Sequence, residues 1–428
     1  MTSAAAHDLA IVDPHDPNCR CVGVDAHKLR STLALKLGEI PAIPSLLDTH
    51  PNLLALSPVF VAPSQVKDMQ RIVDAVEQVV ASPSYQHEVL AAAPEIARQR
   101  LGPRGVFLGY DFHLTDQGPR LIEINTNAGG ALLGVYLAAA QHACCDEIRG
   151  LVPGPVDPST AEATVIEMFR REWRLQGADR ALRRIAIVDR SPETQFLYPE
   201  LQLFQRLFQR HGVDAVIADP QQLSFHHDAL WLDELEIDLV YCRLTDFTLD
   251  HPENAAIRQA YLSGHTVLTP HPRAHTLYAN KKNLAILSDP LRLRALGVDE
   301  DVIAVLHRGV PKTVLVTAEN ADALWASRRE LFFKPAAGYG SRGTYRGSKL
   351  TRKVWQQILE ADYVAQQQVA PSERSFFIEG EDRVLKLDLR CVVYDGTVQL
   401  HQARLYRGQT TNLRTPGGGI APVFTTTA

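Results

Sequence analysis

The sequence predicts an α/β protein with an α+β portion, and three observations predict it. Between about residues 155 and 280, short apolar strands alternate with stretches of helical periodicity, the pattern of a parallel sheet with both faces covered. Hairpin signals near residues 106–125 and 387–405 call for antiparallel strands as well. At 428 residues, the chain is long enough for several packed layers and more than one domain.

Composition narrows the class. With 45% hydrophobic and 22% charged residues, the chain reads as an ordinary globular protein. A formal net charge of −5 argues against a protein that coats nucleic acid, while leaving room for a local basic site. None of the six cysteines (Cys19, Cys21, Cys144, Cys145, Cys242 and Cys391) forms a CxxC pair, and the close pairs are too tight for zinc knuckles. They read as reduced thiols. The first residues show neither a basic n-region nor an apolar h-region. No run approaches the ~20 apolar residues that cross a bilayer. The expectation is a cytoplasmic protein without membrane contact.

Residues 1–104 read as mostly helical. Val66, Met69, Ile72, Val73 and Val76 share one buried face of a helix over 65–80, which Ser82-Pro83-Ser84 breaks. Residues 105–154 begin with a hairpin: strand 106–114, a turn at Asp116-Gln117-Gly118, and strand 119–125. Gly129-Gly130 then leads into a helix over 131–143. Residues 155–280 form the alternating layer, with strands 184–189, 213–218 and 237–243. A helical stretch over 193–211 carries Phe196, Leu201 and Phe204 on its apolar face. The layer is Rossmann-like but lacks a GxGxxG turn. Residues 281–370 form a lid-like α+β segment. Residues 371–428 contain a strand pair, 387–394 and 397–405, joined by the strong hairpin signal Asp395-Gly396.

Three constellations carry chemistry. In the first hairpin, strand periodicity puts Glu123 and Asn125 on one face and points Ile122 and Ile124 into the core. With the turn centred on Gln117, Asp111 faces Glu123, and opposed carboxylates repel unless a cation lies between them. Two carboxylates and an amide suit Mg²⁺ bound jointly with phosphates. A solvated acidic edge accounts for this hairpin alone equally well. The second constellation is Phe333-Lys334-Pro335 followed by Gly338, Gly340 and Gly343. Here a strand delivers a lysine beside a loop whose backbone can approach a phosphate. Taken alone it is also what a flexible surface loop looks like. From Arg328 to Lys353, however, eight basic side chains face one acid, Glu330, which calls for an anionic partner or a solvated helix. The third is the series Arg390, Arg404, Arg407, Asn412 and Arg414 ahead of Gly417-Gly418-Gly419, guanidiniums suited to carboxylates and phosphates.

In this order the motifs resemble the ATP-grasp superfamily, and in particular its circularly permuted branch. That branch includes eukaryotic-type glutathione synthetase and the synthetase domain of glutathionylspermidine synthase. Glu123-Ile124-Asn125-Thr126 stands ahead of Asn280-Lys281-Lys282, the Lys334-Pro335 glycine loop, the 363–369 strand and the arginine-rich hairpin. The resemblance spans about residues 105–428. It implies a permuted ATP-grasp fold using ATP and Mg²⁺, with Asp111, Glu123 and Asn125 holding the metal. Lys281 or Lys282 and Lys334 would contact the nucleotide phosphates. Gly338, Tyr339, Gly340, Ser341, Arg342 and Gly343 would form a mobile loop over the triphosphate, and Gln366, Gln367, Gln368 and Val369 would meet the adenine. Arg390 and Arg404 would stabilise the transferred phosphoryl group, and Arg414 would bind the acyl substrate. Two departures touch the substrate: the glycine loop carries no acid, and Gly109 stands where the family's synthetases place an arginine.

The resemblance therefore implies a carboxylate–amine ligase that acts through an acyl-phosphate on a small amino acid, peptide or polyamine. Its partners would be a small-molecule acid and amine, without nucleic acid, and the reading leaves room for a homodimer. The alternatives are an ATP-grasp kinase that stops at the phosphorylated product, a nucleotide-binding protein without activity, and a nucleic-acid-binding module.

Overall fold

The computed structural model describes residues 24–37, 46–152, 156–338, 340, 342–378 and 381–425. Among the residues singled out above, Cys19, Cys21, Tyr339 and Ser341 lie outside these. The fold is mixed α/β, with one large, mostly antiparallel sheet, one parallel sheet and two smaller antiparallel sheets.

The large sheet has seven strands. Along its main path run Val59–Val61, Gly419–Thr425, Thr397–Tyr406, Glu381–Tyr394, Leu108–Thr115 and Gly118–Asn125, and Ser372–Ile378 also pairs with Glu381–Tyr394. The Asp395-Gly396 turn closes its longest hairpin, with both residues at positive φ (46° and 77°) as a two-residue turn between twisted strands requires. Val59–Val61, a three-residue strand with no sequence signal of its own, pairs in parallel with Gly419–Thr425 and ties the helical N-terminal region into this sheet. One face of the sheet is covered by helices Pro63–Ala81 and Glu300–Gly309, and the other by helix Ala131–Cys144. Met69, Ile72, Val73 and Val76 are buried as their spacing predicts.

The first hairpin differs from its sequence reading in a way that matters. Its turn holds two residues, with Thr115 opposite Gly118, and that register alone would set Asp111 against Ile122. A bulge leaves Ile122 out of the pairing and restores Asp111 opposite Glu123. Leu121 and Ile124 therefore fill the core, while Ile122, expected there, turns to the cleft described below.

Residues 184–269 supply the parallel sheet, in the order Val267–Thr269, Leu239–Cys242, Arg184–Val188, Asp214–Ala218. The expected strand over 237–243 is split: Ile237 ends a strand of a small three-stranded meander, and Leu239 begins the parallel strand. Helix Tyr198–Arg210 starts later than its periodicity suggested, so Phe196 precedes it and is exposed. In the segment expected to be the lid, Thr313–Leu315, Tyr363–Gln367, Leu331–Pro335 and Tyr345–Arg346 form a four-stranded antiparallel sheet, called the lid sheet below. Phe333 and Ala365 pack on Leu324, Trp355 and Ile358 on one of its faces. The other face is left for the cleft. Cys144, Cys145, Cys242 and Cys391 are buried free thiols. Among the described residues, no helix is long and apolar enough to cross a membrane.

Candidate active site

A cleft of about 940 Å³ opens between the lid sheet, the large sheet and the carboxyl edge of the parallel sheet. Strand alternation decides which lid side chains reach it. Phe333 and Ala365 face the lid's own core, so Phe332, Lys334 and Gln366 share the opposite face. The Lys334 Nζ donates to the backbone oxygen of Ile122 (3.0 Å) and to the Gln366 side-chain oxygen (2.8 Å). The bulged residue thus supplies the carbonyl that anchors the lysine across the cleft. Burial drives the Lys334 ammonium down to about 8 against the pull of Glu123, and Lys281 adds to the depression.

Lys281 comes from the opposite side. Its backbone N–H donates to Ala336 (2.9 Å), and its Nζ donates to the Gly338 carbonyl (3.1 Å) and lies 3.9 Å from Glu123. Lys282 points away, paired with Asp362 at 2.9 Å, so of the two candidate lysines only Lys281 lines the cleft. Burial alone would raise the Glu123 carboxyl, but Lys281, Lys334, Asn125 and Arg404 together hold it at about 2. Glu123 is therefore an anion at any working pH. The Asn125 amide NH₂ donates to Glu123 (3.1 Å) and Asp111 (3.0 Å), which leaves Oδ1 as its remaining acceptor.

Asp111, which the resemblance makes a metal ligand, is bonded to two arginines in this structure. Its carboxylate is fully buried and accepts a bidentate pair from Arg390 (2.6 and 2.8 Å) and a further bond from Arg404 (2.8 Å). Arg404 also donates to Asp388 at 2.7 Å. Burial works against the charge on Arg404, but Asp111 and Asp388 more than offset it and raise its pKa. Each guanidinium spends its Nε and one terminal NH₂ on aspartates, and both side chains line the cleft with the other NH₂ remaining. Gly109 is explained by the same cluster. A Cβ there would come within 2.8 Å of the Ala128 side chain and 3.1 Å of the Arg390 Nε, so a side chain at 109 would displace Arg390.

The remaining expected residues divide. Gly338, Gly340, Arg342, Gln366, Gln367, Gln368 and Val369 line the cleft; Gly343 does not. Gln366 is buried and spent on Lys334 and Thr313, so the backbone and neighbours of this strand are what a ligand would meet. Arg414 is exposed and outside the cleft, whose lining in this segment comes from Gln409, Thr410, Thr411 and Leu413 instead.

Several cleft residues were not among those singled out from the sequence. Asp189 and Arg243 follow the carboxyl ends of two adjacent parallel strands, where the strand order reverses and ligands of open α/β sheets bind. Arg243 is buried and donates to Asn127 at 2.6 Å. Asp189 is half-buried, and desolvation raises its carboxyl to about 6 against the pull of Arg243. His275 stacks on Phe247 at 3.8 Å between ring centres, and burial followed by Lys281 lowers it to about 3, which makes it a neutral imidazole. A charged residue closing each apolar stretch, Asp189 in 184–189 and Arg243 in 237–243, was the usable signal.

Among the described residues, no group of three or more His, Cys, Asp or Glu side chains converges to hold a metal. Glu123 with Asn125 offers one carboxylate and one amide oxygen. That donor set fits Mg²⁺, which takes one or two protein carboxylates and completes its shell with phosphate oxygens and water.

No family model matches the chain, and no curated protein matches it. Among solved structures, the chain resembles a glutathione synthetase-like effector, GSS30, from Globodera pallida in its apo form. The TM-score is 0.55 at 12% identity, over 94% of this chain and 98% of that one. A looser likeness, with a TM-score of 0.43 at 12% identity, is to a provisional gamma-glutamylcysteine synthetase from Methylobacillus flagellatus KT. It covers 83% of this chain and 85% of that one. The likeness to GSS30 shows a shared fold. It carries no activity with it.

Asp111→Asn separates the two roles open to this carboxylate. Without nucleotide or Mg²⁺, the variant loses about 3–5 kcal/mol of stability in urea unfolding, because two buried guanidiniums lose their shared anion. Unchanged stability of the metal-free variant would return Asp111 to the role of metal ligand.

Proposed function

We propose that the protein is an ATP- and Mg²⁺-dependent carboxylate–amine ligase acting through an acyl-phosphate. The observation that carries this reading is the convergence, in one cleft, of two lysines and two arginines around an ionised Glu123. Lys281 and Lys334 would hold the nucleotide phosphates, with residues 366–369 and Phe332 beside the base. Mg²⁺, held by Glu123 and Asn125, would neutralise phosphate charge.

A substrate carboxylate would attack the γ-phosphoryl group in line, forming an acyl-phosphate and releasing ADP. An amine then attacks the acyl carbon, phosphate leaves, and the amine proton passes to a base or to water. Arg390 and Arg404 would steady the transferred group through donors that Asp111 has already oriented, so little reorganisation is needed as charge develops. Their fixed geometry also favours in-line attack. Lid closure would exclude the water that hydrolyses an acyl-phosphate. The carboxyl edge of the parallel sheet, with Asp189 and Arg243, would receive the remainder of the substrates.

An ADP-release assay against pools of amino acids, short peptides and polyamines tests the reaction class. A ligase yields ADP and free phosphate only when both an acid and an amine are present. ADP formed with a single substrate and no free phosphate would make the protein a kinase, and absence of ADP across the pools, with ATP bound, would leave a binding protein.

The depressed Lys334 gives a pH signature. Phosphates favour its charged form, so binding takes up a proton once the pH exceeds about 8. Calorimetric ATP affinity falls as pH rises through about 8. Lys334→Arg, which stays charged, removes that step. A step of equal size in the arginine variant would detach Lys334 from the nucleotide.

A further inference from the structure

A second cavity of about 990 Å³ lies apart from the cleft, between helices Pro63–Ala81 and Pro83–Ala91, the 94–104 segment and the 272–279 helix. Its walls are apolar where Val80, Pro83, Leu90, Leu101 and Leu277 meet, and it carries the guanidiniums of Arg98, Arg100, Arg104 and Arg273. Two acids, Glu77 and Asp395, also line it, and both are engaged. The Glu77 carboxylate accepts from Tyr110 (2.6 Å) and Tyr278 (2.7 Å), and Asp395 is shared between Arg104 and Arg171.

The arginines divide in the same way. Arg98 donates to the backbone oxygens of Ala91 and Ala93. Arg273 has one neutral acceptor, the Gln86 amide at 2.9 Å, and burial together with the like charge of Arg100 lowers its pKa. Among the described residues, no carboxylate pairs with either Arg100 or Arg273. The partly buried Arg273, with the exposed Arg100 at the rim of the same partly apolar cavity, presents two guanidiniums without a carboxylate to anything that enters it.

The position of Arg273 gives the site a connection. The 272–279 helix presents Arg273, Leu277 and Tyr278 to this cavity and His275 and Ala279 to the cleft, and Lys281 follows it.

We propose that this cavity binds a small organic anion, with a carboxylate or phosphate head on Arg100 and Arg273 and an apolar body against the leucine-lined wall, and that its occupancy acts on the cleft through the 272–279 helix. The binding claim stands without the ligase reading; the coupling claim rests on it.

The probes are benzoate, phenyl phosphate and inorganic phosphate, titrated calorimetrically into the full chain without ATP. Saturable binding of an aromatic probe is expected, tighter than that of inorganic phosphate, with the two aromatic probes distinguishing a carboxylate from a phosphate ligand. Arg273→Gln and Arg100→Gln each weaken it about tenfold or more, and Lys334→Ala leaves it unchanged. Absence of saturable binding, survival of binding in both arginine variants, or its loss in Lys334→Ala would overturn the site. With phenyl phosphate saturating, the Mg-ATP dissociation constant changes severalfold, and Mg-ATP changes the probe's constant by the same factor. An unchanged ATP constant with probe bound would overturn the coupling, whereas failure of ATP to bind at all would count against the ligase reading and not against the anion site.

Discussion

The site is organised around one buried carboxylate. Asp111 has no exposed surface, yet two guanidiniums close on it from neighbouring strands of the large sheet. Burying such charges costs several kcal/mol per ion before their attraction is counted, so the cluster is poor evidence for stability as such. What it provides is orientation. Each arginine is held by two bonds to aspartates, and its side chain lines the cleft. Gly109 is kept small by the same arrangement, because Arg390 occupies the space its side chain would need.

The cleft's charge balance follows from that orientation. With Asp111 bonded to arginines, Glu123 is left as the anion that Lys281 and Lys334 both face, and it supports the charge of Lys334 against burial. An anionic ligand entering between the lysines would find its counter-charges in position, and a divalent cation would find Glu123 ionised. The lid contributes through strand alternation alone: one face packs on Trp355, and the other brings Phe332, Lys334 and Gln366 to the ligand side.

Much of this was legible in the sequence, for reasons that differ by residue. Lys334 was readable because an apolar strand running into glycines leaves its one lysine little choice of face. The pairing of Asp111 with Glu123 was reached through a three-residue turn. The structure reaches it through a two-residue turn plus a bulge at Ile122, and periodicity cannot show a bulge because one extra residue only shifts phase. That shift also moved Ile122 from the core to the cleft. Arg414 was grouped with Arg390 and Arg404 by proximity in sequence, but those two sit on strands that fix their direction, whereas Arg414 sits in a connecting segment and points to solvent. Asp189 and Arg243 come together only when two strands far apart in sequence become neighbours. Val59–Val61 is too short to show alternation, and its strand exists because Gly419–Thr425 offers it an edge.

In the proposed ligase, Glu123 and Asn125, with the two lysines, would form the nucleotide and metal side of the cleft while Asp111 stays with the arginines. A crystal structure with Mg²⁺ and a non-hydrolysable ATP analogue tests it most directly. Phosphates are expected between Lys281 and Lys334, the metal on Glu123 and Asn125, and Asp111 still bonded to Arg390 and Arg404. Nucleotide bound elsewhere, or Asp111 drawn from the arginines into the metal's shell, would contradict it.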